Sequence, residues 1–489
     1  MKKTVYIIAG LSLIFQSACE LEIEPTDKLS TEVLLSIDDG IDVATNGNYD
    51  LLKVTQGFRG AGPNLNNAYV RHLYQMGEFS GDNVMYTQFS SDPLYLVFTR
   101  NHVNTQENSA YIWYIAYKLM LGANSIIENS VEGESGETDH IIGENYFLRA
   151  LVTFDLLRFF AQPYSHGRDN LGVVLKKSAS SPAVQSRSTV GECYDSVVGD
   201  LLKAVDLMGQ SKHRGVEYAS KEAAWALLSR AYLYMEDNDK AIEFADNVIS
   251  SSRFSLAGNG VYLDNFANTQ NSTESIFIIK HINPDDHKGK QGSIGSMYYD
   301  DGNGTGWGEV FVSQTFLDLI QQHPTDVRND LIVINGNLKN GYPIRYITKF
   351  SGQEGVVNLA SPQYLRLSEV YLNRAEAYAK NGNDTDALTD VNVIRARAGL
   401  TGTALYTLAN LGGRSVLDIV LEERRLELAY EGHRAIDQFR NKRDLDRSYE
   451  GIHLAEGETT QTIPWNDPRN IFYIPQGEIS YNPACEQNP

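Results

Sequence analysis

The chain has 489 residues, a formal charge of −20 and a hydrophobic fraction of 42%, which is globular composition with ample material for a buried core. Its 62 acidic residues outnumber 42 basic ones, a balance that repels nucleic acid and anionic lipid and argues against both as partners. Three cysteines are present without any CxxC, HExxH or Cys/His cluster, so a zinc site has no foothold and nothing points to a cofactor.

Residues 1–18 read as an export signal. Lys2 and Lys3 form a positive start, and Thr4 to Phe15 make an apolar run too short to span a bilayer. Ser17 and Ala18 then precede Cys19 in an arrangement that resembles a bacterial lipobox, although Gln16 stands where Leu is usual. In such proteins the cysteine is acylated and becomes the N-terminus, and each buried CH₂ of its acyl chains contributes roughly 0.8 kcal/mol of anchoring. An ordinary secretory signal with an incidental cysteine is the alternative. Glu20, Glu22 and Glu24 follow at once, and this acidic stretch resembles the surface-export signal of Bacteroidota lipoproteins. The expectation is lipidation at Cys19, a tether over 19–32, and an outer-membrane location facing the exterior. Losing residues 1–18 removes two lysines and no acid, leaving 471 residues at a formal charge of −22. No second apolar run is long enough for a membrane helix. Cys193 and Cys485 would remain; their spacing gives no support for a disulfide, and two free thiols are expected.

Helical periodicity dominates the rest. Residues 55–105 come first as a segment rich in Gly, Asn, Ser and aromatics. A helix is expected from about Asn108 to Glu132, carrying Trp113, Tyr117, Leu121 and Ile126 on one face. Another begins near Tyr146, Arg149, Ala150 and Thr153 and continues through Phe154, Leu157 and Phe160. Trp225, Leu228, Ser229, Tyr232, Ala241 and Ala245 fall at the intervals of a tetratricopeptide hairpin, and Tyr371, Arg374, Ala375, Tyr378, Ala387 and Val391 repeat them. Large residues on the first helix should fill the groove that small residues leave on the second, which places Trp225 largely in the core near Ala241 and Ala245. The turns 236–239 and 381–384 carry residues that end one helix and cap the next. Between the hairpins, residues 255–360 are again loop-rich, with a strand-like run at 275–280. Long irregular segments in a regular protein are usually functional, and these two could meet on one face.

Several stretches then act together: Tyr364–Tyr378 (YLRLSEVYLNRAEAY), Val391–Leu400 (VNVIRARAGL), Glu422–Arg440 (EERRLELAYEGHRAIDQFR) and Tyr473–Pro483 (YIPQGEISYNP), with Arg149–Phe160 and Leu171–Leu175 upstream. In combination they resemble the SusD/RagB family. That resemblance implies a mainly α fold of tetratricopeptide-like helical hairpins, with a loop-rich, mixed α/β insertion forming the ligand face. The expected organisation is an N-terminal helical region over 33–254 with the loop insertion 55–105, a ligand-binding region over 255–360, and a C-terminal helical region over 361–489. It also implies a non-catalytic lipoprotein that captures oligosaccharides for import through a SusC-like TonB-dependent transporter. A peptide-binding, RagB-like role and a tetratricopeptide-type assembly scaffold are the alternatives, and a glycoside hydrolase is supported least. Glu423 and Glu427 are i,i+4 neighbours flanked by arginines, so a salt-bridged helix face explains them better than a catalytic pair. Arg434, Asp437 and Arg440 read as ion pairing between helices.

A sugar site needs aromatic plates for C–H faces and polar side chains for hydroxyls. Trp113 and Trp225 lie on helical faces and read as core. Trp307 sits in Gly302-Asn-Gly-Thr-Gly-Trp-Gly308, where alternating glycines could hold an indole clear of the body, with Tyr298 and Tyr299 just before it. A second wall is expected from residues 76–98, with Asp82, Asn83 and Arg71 as polar partners and Tyr86 as a stacking platform. Asp301, Asn303, Thr305, Gly306 and Glu309 match part of a calcium-loop pattern, but Val312 stands where its bidentate Glu should be, and a turn-rich binding loop explains them better.

Overall fold

In the computed structural model, residues 39–209, 214–287 and 289–489 are described, together with Leu34 and Ile37. Cys19, the export signal and the 19–32 tether lie outside the described residues. Helices α1 (Gly40–Asp50) and α2 (Tyr69–Phe79) lead through strand β1 (Val84–Tyr86) and α3 (Leu94–Phe98) to two long helices, α4 (Glu107–Asn129) and α5 (Gly136–Phe160). Next come α6 (Val190–Leu207), then α7 (Lys221–Tyr234) and α8 (Asn238–Ser250), the first of the two matched hairpins. Side chains set the starts of these helices. Ser135, Ser220 and Asp237 accept from the backbone amides of their first turns, and Thr189 with Glu192 closes a capping box on α6.

The hairpin spacing has the packing consequence expected of it. Ala241 and Ala245 are fully buried on α8, Ser229 Oγ donates to the Ala241 carbonyl at 3.0 Å, and Tyr232 stacks flat on Phe244 at 5.5 Å. Trp225 differs from expectation. It is half-buried at the edge of the core, with Lys221 Nζ 5.5 Å from its ring centre, because Ala224, Leu227 and Leu228 take the interior side of the helix. The second hairpin, α10 (Leu367–Lys380) and α11 (Asp384–Arg397), follows β2 (Ser275–Ile278), β3 (Val310–Val312), α9 (Gln314–Ile320), β4 (Ile332–Lys339), β5 (Tyr342–Ile347) and β6 (Gln363–Arg366). It packs on the first: Arg374 reaches Asp390 on its own partner helix and Asp246 on α8, and the turn residue Asn381 donates to Asp239 at 2.8 Å. The equal intervals in the two repeats thus bring their turns together.

The chain closes with α12 (Val416–Glu427), α13 (Arg434–Arg440), β7 (Leu445–Arg447), β8 (Gln461–Ile463) and α14 (Gln476–Tyr481). Strands occur only as antiparallel pairs among the described residues: β1–β3, β2–β6, β4–β5 and β7–β8. Glu423 and Glu427 are salt-bridged to arginines as expected, and both are buried. Glu423 binds Arg328 at 2.6 Å and Arg395 at 2.8 Å, while Glu427 binds Arg366 at 2.6 Å and also Arg328 and Arg397. The partners come from elements distant in sequence and form an interior frame that ties α12 to β6 and α11. Arg440 does pair between helices, with Glu376 of α10, and Arg424 with Asp437. Cys193 and Cys485 are buried free thiols.

Candidate ligand-binding site

The two irregular segments meet, and a strand pair joins them. Val84, Met85 and Tyr86 of β1 register against Val312, Phe311 and Val310 of β3. Thr87 N then donates to the Glu309 carbonyl at 2.9 Å, and Gln88 Nε2 to Glu309 Oε1 at 2.8 Å. Immediately before β3 the chain makes a pinched loop. The amides of Trp307 and Gly308 both donate to the Ser296 carbonyl, at 2.7 and 3.0 Å, and that of Glu309 to Met297 at 2.9 Å. Residues 298–306 are therefore a closed loop on a fixed neck.

Glycine is needed at the neck: a Cβ on Gly306 would stand 1.8 Å from the Tyr299 carbonyl. Gly302 and Gly304 turn the tip at φ +86 and +80 with open space around them. Asp301 organises that tip, accepting from Asn303 N at 2.9 Å, Asn303 Nδ2 at 3.0 Å and Thr305 Oγ1 at 2.7 Å. Hydrogen bonds from Thr305 and Asn303 hold its carboxyl down at about 2. All three contacts are ones a turn uses to hold itself.

The indole of Trp307 is 39% exposed. One face is covered by Lys290, whose Nζ lies 4.2 Å from the ring centre. Lys339, at the end of β4, donates to the Trp307 carbonyl at 2.7 Å and pairs with Asp300 at 3.2 Å. The β4–β5 hairpin thus props the loop, and Asn340 at its tip donates to Thr87 Oγ1 at 2.9 Å, so one hairpin clamps both segments. Tyr299 is half-buried, edge-on to Tyr346 at 5.6 Å. On the other segment, Phe89 is exposed and packs against half-buried Tyr95 at 5.1 Å. The Gln88–Glu309 contact holds Phe89 and Trp307 on adjoining pieces of chain. Lys290, Lys339 and Leu338 on the hairpin are the parts of this surface that sequence reasoning missed.

Five expected contact residues are corrected by their burial. Tyr298 is fully buried, stacked at 6.1 Å on Phe350. Tyr86 is likewise inside, against Phe79 and Phe98, because β1 is covered on both faces. Arg71 is paired at 2.5 Å with Asp92. Asp82 accepts from Arg434 at 2.8 Å and lies 3.3 Å from Arg425; burial pushes its carboxyl up, but these arginines outweigh that and hold it at about 2. Asn83 donates to Glu78 at 2.9 Å and accepts from Arg425 at 2.8 Å. These residues are the backing of the wall, with their polar atoms committed inward. Trp307 and Tyr299 keep accessible surface.

Fold and surface together define a helical-repeat protein that presents a clamped aromatic loop. A family profile described as "SusD family" matches residues 325–489, and one described as "Starch-binding associating with outer membrane" matches 51–233. A SusD superfamily protein of Bacteroides thetaiotaomicron superposes with a TM-score of 0.80 at 30% identity, covering 92% of this chain and 99% of that one. Another from Bacteroides vulgatus gives 0.79 at 29% identity over 92% and 98%. SusD-like protein P38 of Formosa agariphila is 24% identical over 99% of this chain and 98% of its own length. The chain belongs to the SusD/RagB family.

Proposed function

We propose that this protein is a non-catalytic glycan-capture lipoprotein, anchored through Cys19 at the outer membrane, that passes oligosaccharides to a SusC-like TonB-dependent transporter. The observation that carries the glycan reading is Trp307: an exposed indole on a loop whose neck and flank are hydrogen-bonded in place. A ring already oriented loses little freedom on stacking against a sugar face, which is the economy of a preorganised site. Asp301, Asn303 and Thr305 lie on the same loop and Asn340 on the hairpin that clamps it, short polar residues of a kind suited to hydroxyls. The matching N-terminal profile, that of a starch-binding family associated with the outer membrane, supports the same ligand class and location.

Carboxylates near the loop are engaged, Asp300 by Lys339, Asp301 by its own turn and Glu309 by Gln88, which supports a binding role for them over a catalytic one. Prolonged incubation with a panel of oligosaccharides should produce binding and no new reducing ends; release of reducing ends would overturn the non-catalytic reading. Cys19→Ser should move the protein from the membrane to the soluble fraction, and retention in membranes would count against the anchor.

A further inference from the structure

We propose that a second groove, between α4 and α14, is a binding site for neutral oligosaccharide in its own right. It rests on glycan capture as the protein's task but not on Trp307. The groove is a concavity of about 580 Å³ built from Phe58 and Arg59, one face of α4, and residues 475–481. None of its lining residues belongs to the Trp307 loop or the β4–β5 hairpin. A volume in the range of about 300–1,000 Å³ is that of a ligand pocket.

The lining follows from helix geometry. Ala110, Trp113, Tyr114, Tyr117 and Leu121 recur at three- and four-residue steps and make one stripe along α4. Such a stripe is ordinarily sealed by a neighbouring helix. Here α14 approaches from one side only, leaving Leu121 52% and Tyr481 87% exposed. Trp113 forms the floor: its indole is buried and Nε1 donates to Glu478 Oε2 at 3.2 Å. Phe58 and Tyr114 lie 5.3 Å apart at 41°, and Trp113 and Tyr117 5.0 Å apart at 45°, so the rings tile a curved wall.

The rim decides the ligand class. Glu478 is fixed by Trp113 on one oxygen and by Asn482 Nδ2 at 2.8 Å on the other, with lone pairs to spare. Lys118 Nζ is placed by Gln56 at 2.8 Å, and exposed Arg59 lies over Phe58 at 4.8 Å. Sugar hydroxyls need acceptors and donors at the edges of aromatic plates, and this groove supplies both. Two sites on one chain raise the capture of a long glycan through effective concentration without any new contact.

The test compares wild type, Trp307→Ala, the pair Tyr114→Ala/Tyr481→Ala, the combination of all three, and Glu478→Gln, which keeps the groove's shape. Each is titrated calorimetrically with maltoheptaose, cellohexaose, laminarihexaose and xylohexaose, with circular dichroism as the folding control. The expected result is glycan binding that survives in Trp307→Ala and falls tenfold or more when the groove pair is added, with Glu478→Gln weakening it in the same direction. Groove variants that bind every probe as wild type does overturn the second site and leave the Trp307 reading standing. Groove variants that retain glycan but lose an outer-membrane partner would make it a protein interface and overturn it equally. A wild type that binds none of the four overturns the groove and the Trp307 reading together.

Discussion

The interior around Glu427 and the surface around Trp307 are both dense in polar side chains, but in the first every charge is answered and in the second several groups face solvent. Glu427 accepts from Arg328, Arg366 and Arg397, and Arg366 in turn reaches Glu274 and Glu431. Nothing in that frame is available to a ligand. At Trp307, by contrast, hydrogen bonds hold the backbone while the indole and the tip residues stay exposed. The stretches that carry the family resemblance, 364–378 and 422–440, supply the frame. The stretch that presents the indole lies outside them. Membership of the family is thus written in the scaffold, and the proposed ligand site lies in loops the scaffold supports.

The frame should break most severely. Glu427→Ala leaves three arginines buried without their shared carboxylate, and such removals cost about 3–5 kcal/mol. Chemical denaturation should show this loss; a variant as stable as wild type would mean the frame is not what holds α12.

Next is Glu78, buried between the two regions. Desolvation pushes its carboxyl up to about 7, against hydrogen bonds from Asn83 and Gly432. The folded protein then keeps a proton that the unfolded chain releases from about 4.5 upward. Stability from this group falls as pH rises from about 4.5 to about 7 and levels off above, by on the order of 3 kcal/mol in all. Glu78→Gln should flatten that part of the stability–pH curve, and an unchanged slope would place the titration elsewhere.

Trp307→Ala should cost about 1–3 kcal/mol of glycan affinity while leaving the denaturation midpoint unchanged, the reverse of Glu427→Ala. The smallest effect is expected at Lys290. Its contact with the indole contributes about 0.5–1 kcal/mol, so Lys290→Ala should weaken glycan affinity roughly two- to fivefold by loosening the ring. A gain in affinity would show instead that Lys290 competes with sugar for that face.

The helical frame was legible because repeat spacing is a physical requirement: Ala241 and Ala245 must be small for Tyr232 and Phe244 to stack. The partial exposure of Trp307 was legible for a related reason, since the glycines beside it in the chain carry no side chains to pack on an indole. Tyr298 and Tyr86 were not legible. Tyr86 is buried where β1 meets β3 across more than two hundred residues of chain, and Tyr298 where Phe79, Phe350 and Tyr430 close on it from distant elements; a single sequence carries no sign of either. Asp82 and Arg71 fail similarly, because their ion partners lie on other elements. The hairpin that clamps the site did leave a signal. Asn340-Gly341 is the two-residue turn whose positive φ angles, +55 and +87, suit this dipeptide, and alternating apolar residues flank it.

The most direct test of the central claim is calorimetric titration of wild type and Trp307→Ala with one oligosaccharide that binds the wild-type protein. Both proteins should give matching circular dichroism. A ten- to hundredfold weaker dissociation constant for the variant is the expected result; equal constants would contradict the assignment of Trp307 as the ligand-facing residue of this fold.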